Sequence, residues 1–194
     1  MNHFTRFGLE PRPWIDLEGL KEKFLKLSAE THPDKVAATE KSSSERHFQE
    51  LNESYNVLRN TRARLLHLME LSGLPKQEHV QDVPAAAMEL FPVIASATKR
   101  ADALIREKAA AGSPMLKVQL MGRGLQEIET LQELQRRISE SIQGIEDSLK
   151  ALDAGWSPPP SAPALKRVQE AAAALGFLER WNGQLQERIG ALTF

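Results

Sequence analysis

Two stretches of this chain repeat one apolar spacing on either side of a short polar connection, and nothing else in the sequence restricts the fold as tightly. Leu17, Leu20, Phe24 and Leu27 fall at i, i+3, i+7 and i+10, which is one face of an α-helix. Asp16 precedes them and is placed to accept from a first-turn amide as N-cap. Phe48, Leu51, Tyr55 and Leu58 repeat the same spacing. Between the two lie His32-Pro33-Asp34-Lys35 and the polar run Lys41-Ser42-Ser43-Ser44. Pro33 fixes its own φ and pushes the residue before it toward extended geometry, so the first helix is expected to end ahead of it. One serine of the polar run, read as a loop, is expected to cap the second helix. Two such helices with a short connection pack antiparallel. His32, Pro33 and Asp34 then sit at the tip of the hairpin, where exposed polar side chains are placed to bind a partner. Lys21, Lys23 and Lys26 point away from the apolar face.

The remainder of the chain also reads as helix. Leu58 to Leu71 continues the apolar pattern and stops at Gly73, a helix-ending residue. Residues 75–83 read as a linker. A helix is expected from near Asp82, with Pro84 in its first turn, and Pro92 requires either a kink or a new start close by. Ser113 and Pro114 form a cap-plus-first-residue signature for the next helix. Gly122 and Gly124 weaken its beginning, whereas Leu131, Leu134, Ile138, Ile142, Ile145, Leu149 and Leu152 are strictly periodic. The segment 155–163, with four prolines, is expected to be a stiff loop. A last helix from about Leu165 carries Val168, Ala172, Leu175, Leu178, Leu185, Ile189 and Leu192. The expected fold is all-α: a helical hairpin over residues 1–74, then an antiparallel three-helix bundle over 84–194.

Composition narrows the function. Residues 1–74 hold 11 basic and 11 acidic side chains, leaving 14 and 15 of the chain's 25 and 26 for the rest. No basic domain hides behind the net charge of −1, so nucleic acid is not an expected partner. Cysteine is absent, which excludes disulfides, thiolate zinc sites and cysteine-ligated clusters within the chain. The histidines, at 3, 32, 47, 67 and 79, show no metal-ligand spacing, and no metal or cofactor is expected. No apolar run approaches the ~20 residues that span a bilayer, and no signal-peptide pattern opens the chain; a cytoplasmic location is expected. Paired carboxylates, a nucleophile motif and a phosphate loop are all missing from the pattern, so an enzyme is not expected. Gly122-Arg123-Gly124 lacks the third glycine and preceding strand of a dinucleotide site.

The run Phe48 to Leu58, with Leu20 to Leu27 before it and His32-Pro33-Asp34 between, resembles the J-domain. Thr31 stands where an aromatic is usual and Leu25 where a basic residue is common. The segments Leu58 to Gly73 and Leu175-Gly176-Phe177-Leu178-Glu179-Arg180 resemble the HscB type of J-protein, called Jac-type in mitochondria. That resemblance implies a co-chaperone that makes a DnaK/HscA-type chaperone hydrolyse its ATP through His32, Pro33 and Asp34. It implies docking on that chaperone through Lys21, Lys23, Lys26 and Lys35. It also implies delivery of the iron–sulfur scaffold protein, with Met88, Phe91 and Phe177 as client-binding residues. The acidic members of that patch are replaced, with Pro92, Ala95 and Lys99 near their places. A J-protein of the same architecture with a different client is the alternative. The Gly/Phe-rich linker and zinc module of DnaJ-like chains are not present in the sequence.

Overall fold

A computed structural model of the chain describes residues 2–30, 41–74 and 83–193, and every regular element among them is an α-helix. The described chain forms two compact units, each assembled from two separate stretches.

The first unit takes residues up to Glu78 together with Glu146–Ala172. It opens with the single turn α1 (His3–Arg6), whose N-cap Asn2 accepts from the amides of Phe4 and Thr5 at 3.0 and 3.4 Å. An extended stretch leads to α2 (Leu17–Glu30). Asp16 caps it as the sequence predicts, accepting from Glu18 and Gly19 at 3.2 and 3.1 Å. A Cβ on Gly19 would stand 2.9 Å from the Asp16 carboxylate, so a larger residue there would make the capping side chain shift. The next helix, α3 (Lys41–Arg59), starts earlier than expected. Lys41 to Ser44 are its first turn and not a loop, since elongating a helix over serines costs little once the tertiary face downstream holds it.

Phe4, Phe7, Ile15, Leu20, Leu51 and Leu58 form the buried core here, with Phe24, Leu27 and Tyr55 packed at its margin. Phe24 stacks on Tyr55 at 4.2 Å and joins α2 to α3. Leu17, expected on the apolar face, is instead exposed, because it opens the first turn, beyond the reach of α3. Next comes α4 (Thr61–Leu71), capped by Asn60, which accepts from Ala63 at 2.7 Å. It ends in a left-handed residue, Gly73 at φ +74°, with Leu74 N–H donating to Met69 and Gly73 N–H to Glu70.

The C-terminal stretch of this unit was not legible as part of it. Thr61 donates to Glu146 at 2.9 Å, Arg12 pairs with Asp153 at 3.3 Å, and Trp156 Nε1 donates to the Pro11 carbonyl at 3.0 Å. The Lys150 ammonium lies 5.0 Å from the Trp14 ring centre. Buried beneath these contacts is Arg64. It donates to the carbonyls of Leu58 and Pro13 at 2.6 and 3.2 Å, and to Thr61 Oγ1 at 3.4 Å. Burial lowers its pKa to about 10, with Glu146 and Asp153 opposing the shift.

The second unit takes residues 79–145 and 173–194. Pro84 is the N-cap of a short α5 (Ala85–Met88), one turn later than the expected start near Asp82, which lies outside the described residues. Pro92 falls in the first turn of a new helix, α6 (Phe91–Ala110), where its missing N–H has no partner to lose. The long α7 (Pro114–Asp153) is capped by Ser113, which accepts from Leu116 at 3.2 Å, and runs unbroken through both glycines. The last helix, α8 (Ala162–Leu192), begins inside the segment expected to be loop; Ser161 caps it and Pro163 occupies its first turn.

Ile94, Ala97, Ala101 and Leu104 from α6, Leu131, Leu134 and Ile138 from α7, and Leu178, Leu185 and Leu192 from α8 share one core. The polar pairs give the directions. Arg100 with Glu127 and Glu107 with Arg123 run α6 against α7, while Asp102 with Arg188 and Lys108 with the end of α8 run α6 alongside α8. This is the up-down-up order of a three-helix bundle. Lys108 donates to the carbonyls of Ala191, Leu192 and Thr193, which a helix end leaves without amide partners.

Candidate functional site

Two surfaces hold the residues singled out from sequence, one on each unit. On the first unit the surface is the outer side of α2. His32, Pro33, Asp34 and Lys35 join α2 to α3 in the sequence and lie outside the described residues. Lys21, Lys23 and Lys26 are all exposed. They are not equivalent. Lys23 donates to the Phe7 carbonyl at 3.2 Å, which satisfies the end of α1. Lys21 and Lys26 carry their charge into solvent. Leu25, between them on the helix surface, is 58% exposed, and Glu18 and Glu22 are exposed on the same helix.

Behind α2 and α3, His67 is buried and accepts from the His3 amide through Nε2 at 3.1 Å. Its other ring nitrogen therefore carries the proton and faces Glu70 at 3.4 Å. Burial, helped by His67, lowers the His3 pKa below the ordinary histidine value. These histidines tie α1 to α4, and sequence spacing gave no sign of them as a pair. No group of three or more His, Asp or Glu side chains among the described residues is placed to hold a metal ion.

On the second unit the structure brings Phe91 and Phe177 onto one aromatic cluster. The member that joins them is Trp181, which the sequence reading missed. Phe177 meets Trp181 edge-on at 5.7 Å, and Phe91 lies 6.2 Å from the same indole. Trp181 is nearly buried, so it is the floor of the cluster, while Phe91 is exposed and Phe177 half-buried. The signal was available: Trp181 follows Phe177 at i+4, the next position on the same face of α8. Met88, at the end of α5, is 52% exposed. Arg180 covers part of the Phe177 ring, its guanidinium carbon 4.4 Å from the ring centre. Along α6, Ala95 and Lys99 follow Phe91 at i+4 and i+8 and are exposed. The cluster is thus apolar and aromatic, with Arg180 over the Phe177 ring and the exposed Glu89 next to Met88 in the chain. Such a surface can anchor a partner by burying rings and aliphatic side chains.

Known proteins match part of this chain. Residues 2–67 match the DnaJ domain. The chain is 32% identical over 77 residues to the co-chaperone protein HscB homolog of Shewanella loihica, covering 38% of this chain and 44% of that protein. It is 37% identical over 91 residues to the HscB homolog of Acinetobacter baumannii, covering 47% and 50%. The chain thus spans about half the length of the curated relatives it matches. In fold it is similar to the human co-chaperone protein HscB, with a TM-score of 0.57 at 18% identity, covering 98% of this chain and 81% of that one.

Proposed function

Starting from a chain that carries a DnaJ domain and is a divergent relative of the HscB co-chaperones, we propose that it activates the ATPase of a DnaK/HscA-type chaperone and delivers to it the iron–sulfur cluster scaffold protein. On this reading the chain is not itself an enzyme. His32, Pro33 and Asp34 trigger hydrolysis in the partner. Lys21, Lys26 and Lys35 steer docking, with Lys23 supporting the end of α1. The observation that carries the proposal is the DnaJ match over residues 2–67, coinciding with a packed α2–α3 pair that exposes Lys21 and Lys26. The aromatic cluster of Phe91, Trp181 and Phe177 supports the client half of the reading, because three rings converge where a client-binding patch is expected.

Exposed cations steer association and lose force as salt screens them. Reversing Lys21 and Lys26 to Glu is therefore expected to raise the chain concentration needed for half-maximal ATPase stimulation, more at low salt than at high. Single-turnover hydrolysis across a concentration series measures it. A concentration dependence that does not move at either salt removes the docking role of α2.

The client half is tested by calorimetry of the full chain against the scaffold protein from the same organism. Truncating a central aromatic anchor typically costs about 2 kcal/mol, roughly thirtyfold in affinity, and Phe177→Ala is expected to do so. Met88→Asp, at an exposed position that leaves the fold intact, is expected to weaken the same binding. No heat with the unaltered chain sinks the scaffold reading. A second reading, a J-protein with another client, is favoured by Arg180 over the Phe177 ring, which suits an acidic surface.

A further inference from the structure

We infer that the N-terminal half of α7 is a self-association surface, on which a second copy of this chain docks antiparallel. On one face α7 buries Leu120, Gly124, Leu131, Leu134 and Ile138. The opposite face carries a second apolar stripe that nothing among the described residues covers. Met115, Val118, Gly122 and Leu125 follow one another at i, i+3, i+7 and i+10. Met115 is 75% exposed, Val118 70% and Leu125 53%, and Met121 borders them, also exposed. Exposed apolar residues are ordinary when scattered; a continuous helical stripe of them marks a contact surface.

The stripe identifies its own occupant because it is self-complementary. About a centre between Met121 and Gly122, an antiparallel second copy sets Val118 against the partner's Leu125. Met121 then lies over the partner's Gly122. A Cβ on Gly122 would meet nothing within 4 Å, so no packing among the described residues calls for a glycine there. A glycine in a helix interior is destabilising relative to alanine, and the close approach of a second helix gives it a use. Charge selects the direction. Glu129, exposed at the far end of the stripe, reaches the partner's Pro114, where first-turn amides lack helical acceptors and favour a carboxylate. A parallel pair would instead set Glu129 against its own copy. The two-fold arrangement repeats both contacts, as an isologous interface must.

Sedimentation of the full chain over a concentration series tests the pairing. The chain has no cysteine, so single-cysteine variants report the register without background thiols. A monomer–dimer equilibrium is expected, with Val118→Glu raising the dissociation constant by about tenfold or more, since it places two carboxylates against apolar side chains. Circular dichroism of that variant should match the unaltered chain, as position 118 is exposed. Under oxidation Met121→Cys is expected to cross-link as a dimer. Met115→Cys should not, because in this register the two copies of residue 115 stand about 20 Å apart at 1.5 Å per residue. A chain that stays monomeric at every concentration overturns the inference. So does a dimer that Val118→Glu leaves unchanged, or cross-linking of Met115→Cys as fast as Met121→Cys. Loss of scaffold binding in Val118→Glu, with the unaltered chain monomeric, would assign the stripe to a client instead.

Discussion

Replacing His32 with Gln is expected to return the partner chaperone's single-turnover ATP hydrolysis to its unstimulated rate while leaving the helical signal of this chain unchanged. The separation of the two effects follows from where the stability of the first unit resides. Leu20, Leu51 and Leu58 are buried there, and Phe24 stacks on Tyr55 at 4.2 Å, so α2 and α3 are joined by their own side chains. His32, Pro33 and Asp34 lie in the sequence between the two helices, outside the described residues. A glutamine at 32 keeps polarity and approximate size, so it tests imidazole chemistry rather than bulk. Undiminished stimulation by the variant would remove the activation half of the proposed function, whatever the client experiments show.

Arg64→Met is expected to be the most destabilising of the substitutions considered, by about 3 kcal/mol. The guanidinium is buried and serves the Leu58 and Pro13 carbonyls and the Thr61 hydroxyl together. Methionine fills similar volume but donates nothing, so two buried carbonyls lose their partner and Glu146 loses a neighbouring positive charge. Glu146→Gln should cost much less, because its amide oxygen still accepts from Thr61. Urea denaturation measures both: a midpoint for Arg64→Met equal to that of the unaltered chain would show that the buried cation contributes nothing net.

Helix existence was legible along the sequence because the apolar spacing that forms each face is local. Leu131, Leu134 and Ile138 are buried as their periodicity predicts, as are Leu178, Leu185 and Leu192. The caps at Asp16 and Ser113 were legible for the same reason, since each bonds an amide within three residues. Arg64 was not. Its partners include Pro13, 51 positions away, and its neighbour Thr61 reaches Glu146, 85 positions away. No spacing rule connects such positions, and an arginine in a helix reads as solvated unless its surroundings are known. Residues 146–172 were placed with the bundle by pattern alone, because periodicity continues through α7 without marking where its packing partner changes. At the aromatic cluster, Met88, Phe91 and Phe177 came from a resemblance; Trp181, which physically connects two of them, lay one helical turn beyond and went unremarked.

Membership of Glu146–Ala172 in the first unit has a consequence for how the protein is made. During synthesis, residues 2–74 leave the ribosome long before their packing partners exist. Until residues 146–156 have emerged, Trp156 cannot meet the Pro11 carbonyl, Asp153 cannot meet Arg12, and Arg64 lacks its acidic neighbours. Contacts this distant in sequence slow folding, because a long loop must close before any of them forms. The nascent N-terminal segment therefore waits, partly assembled, until residues 146–156 have been added. The same dependence makes a fragment cut after residue 74 a poor substitute for the unit in the complete chain.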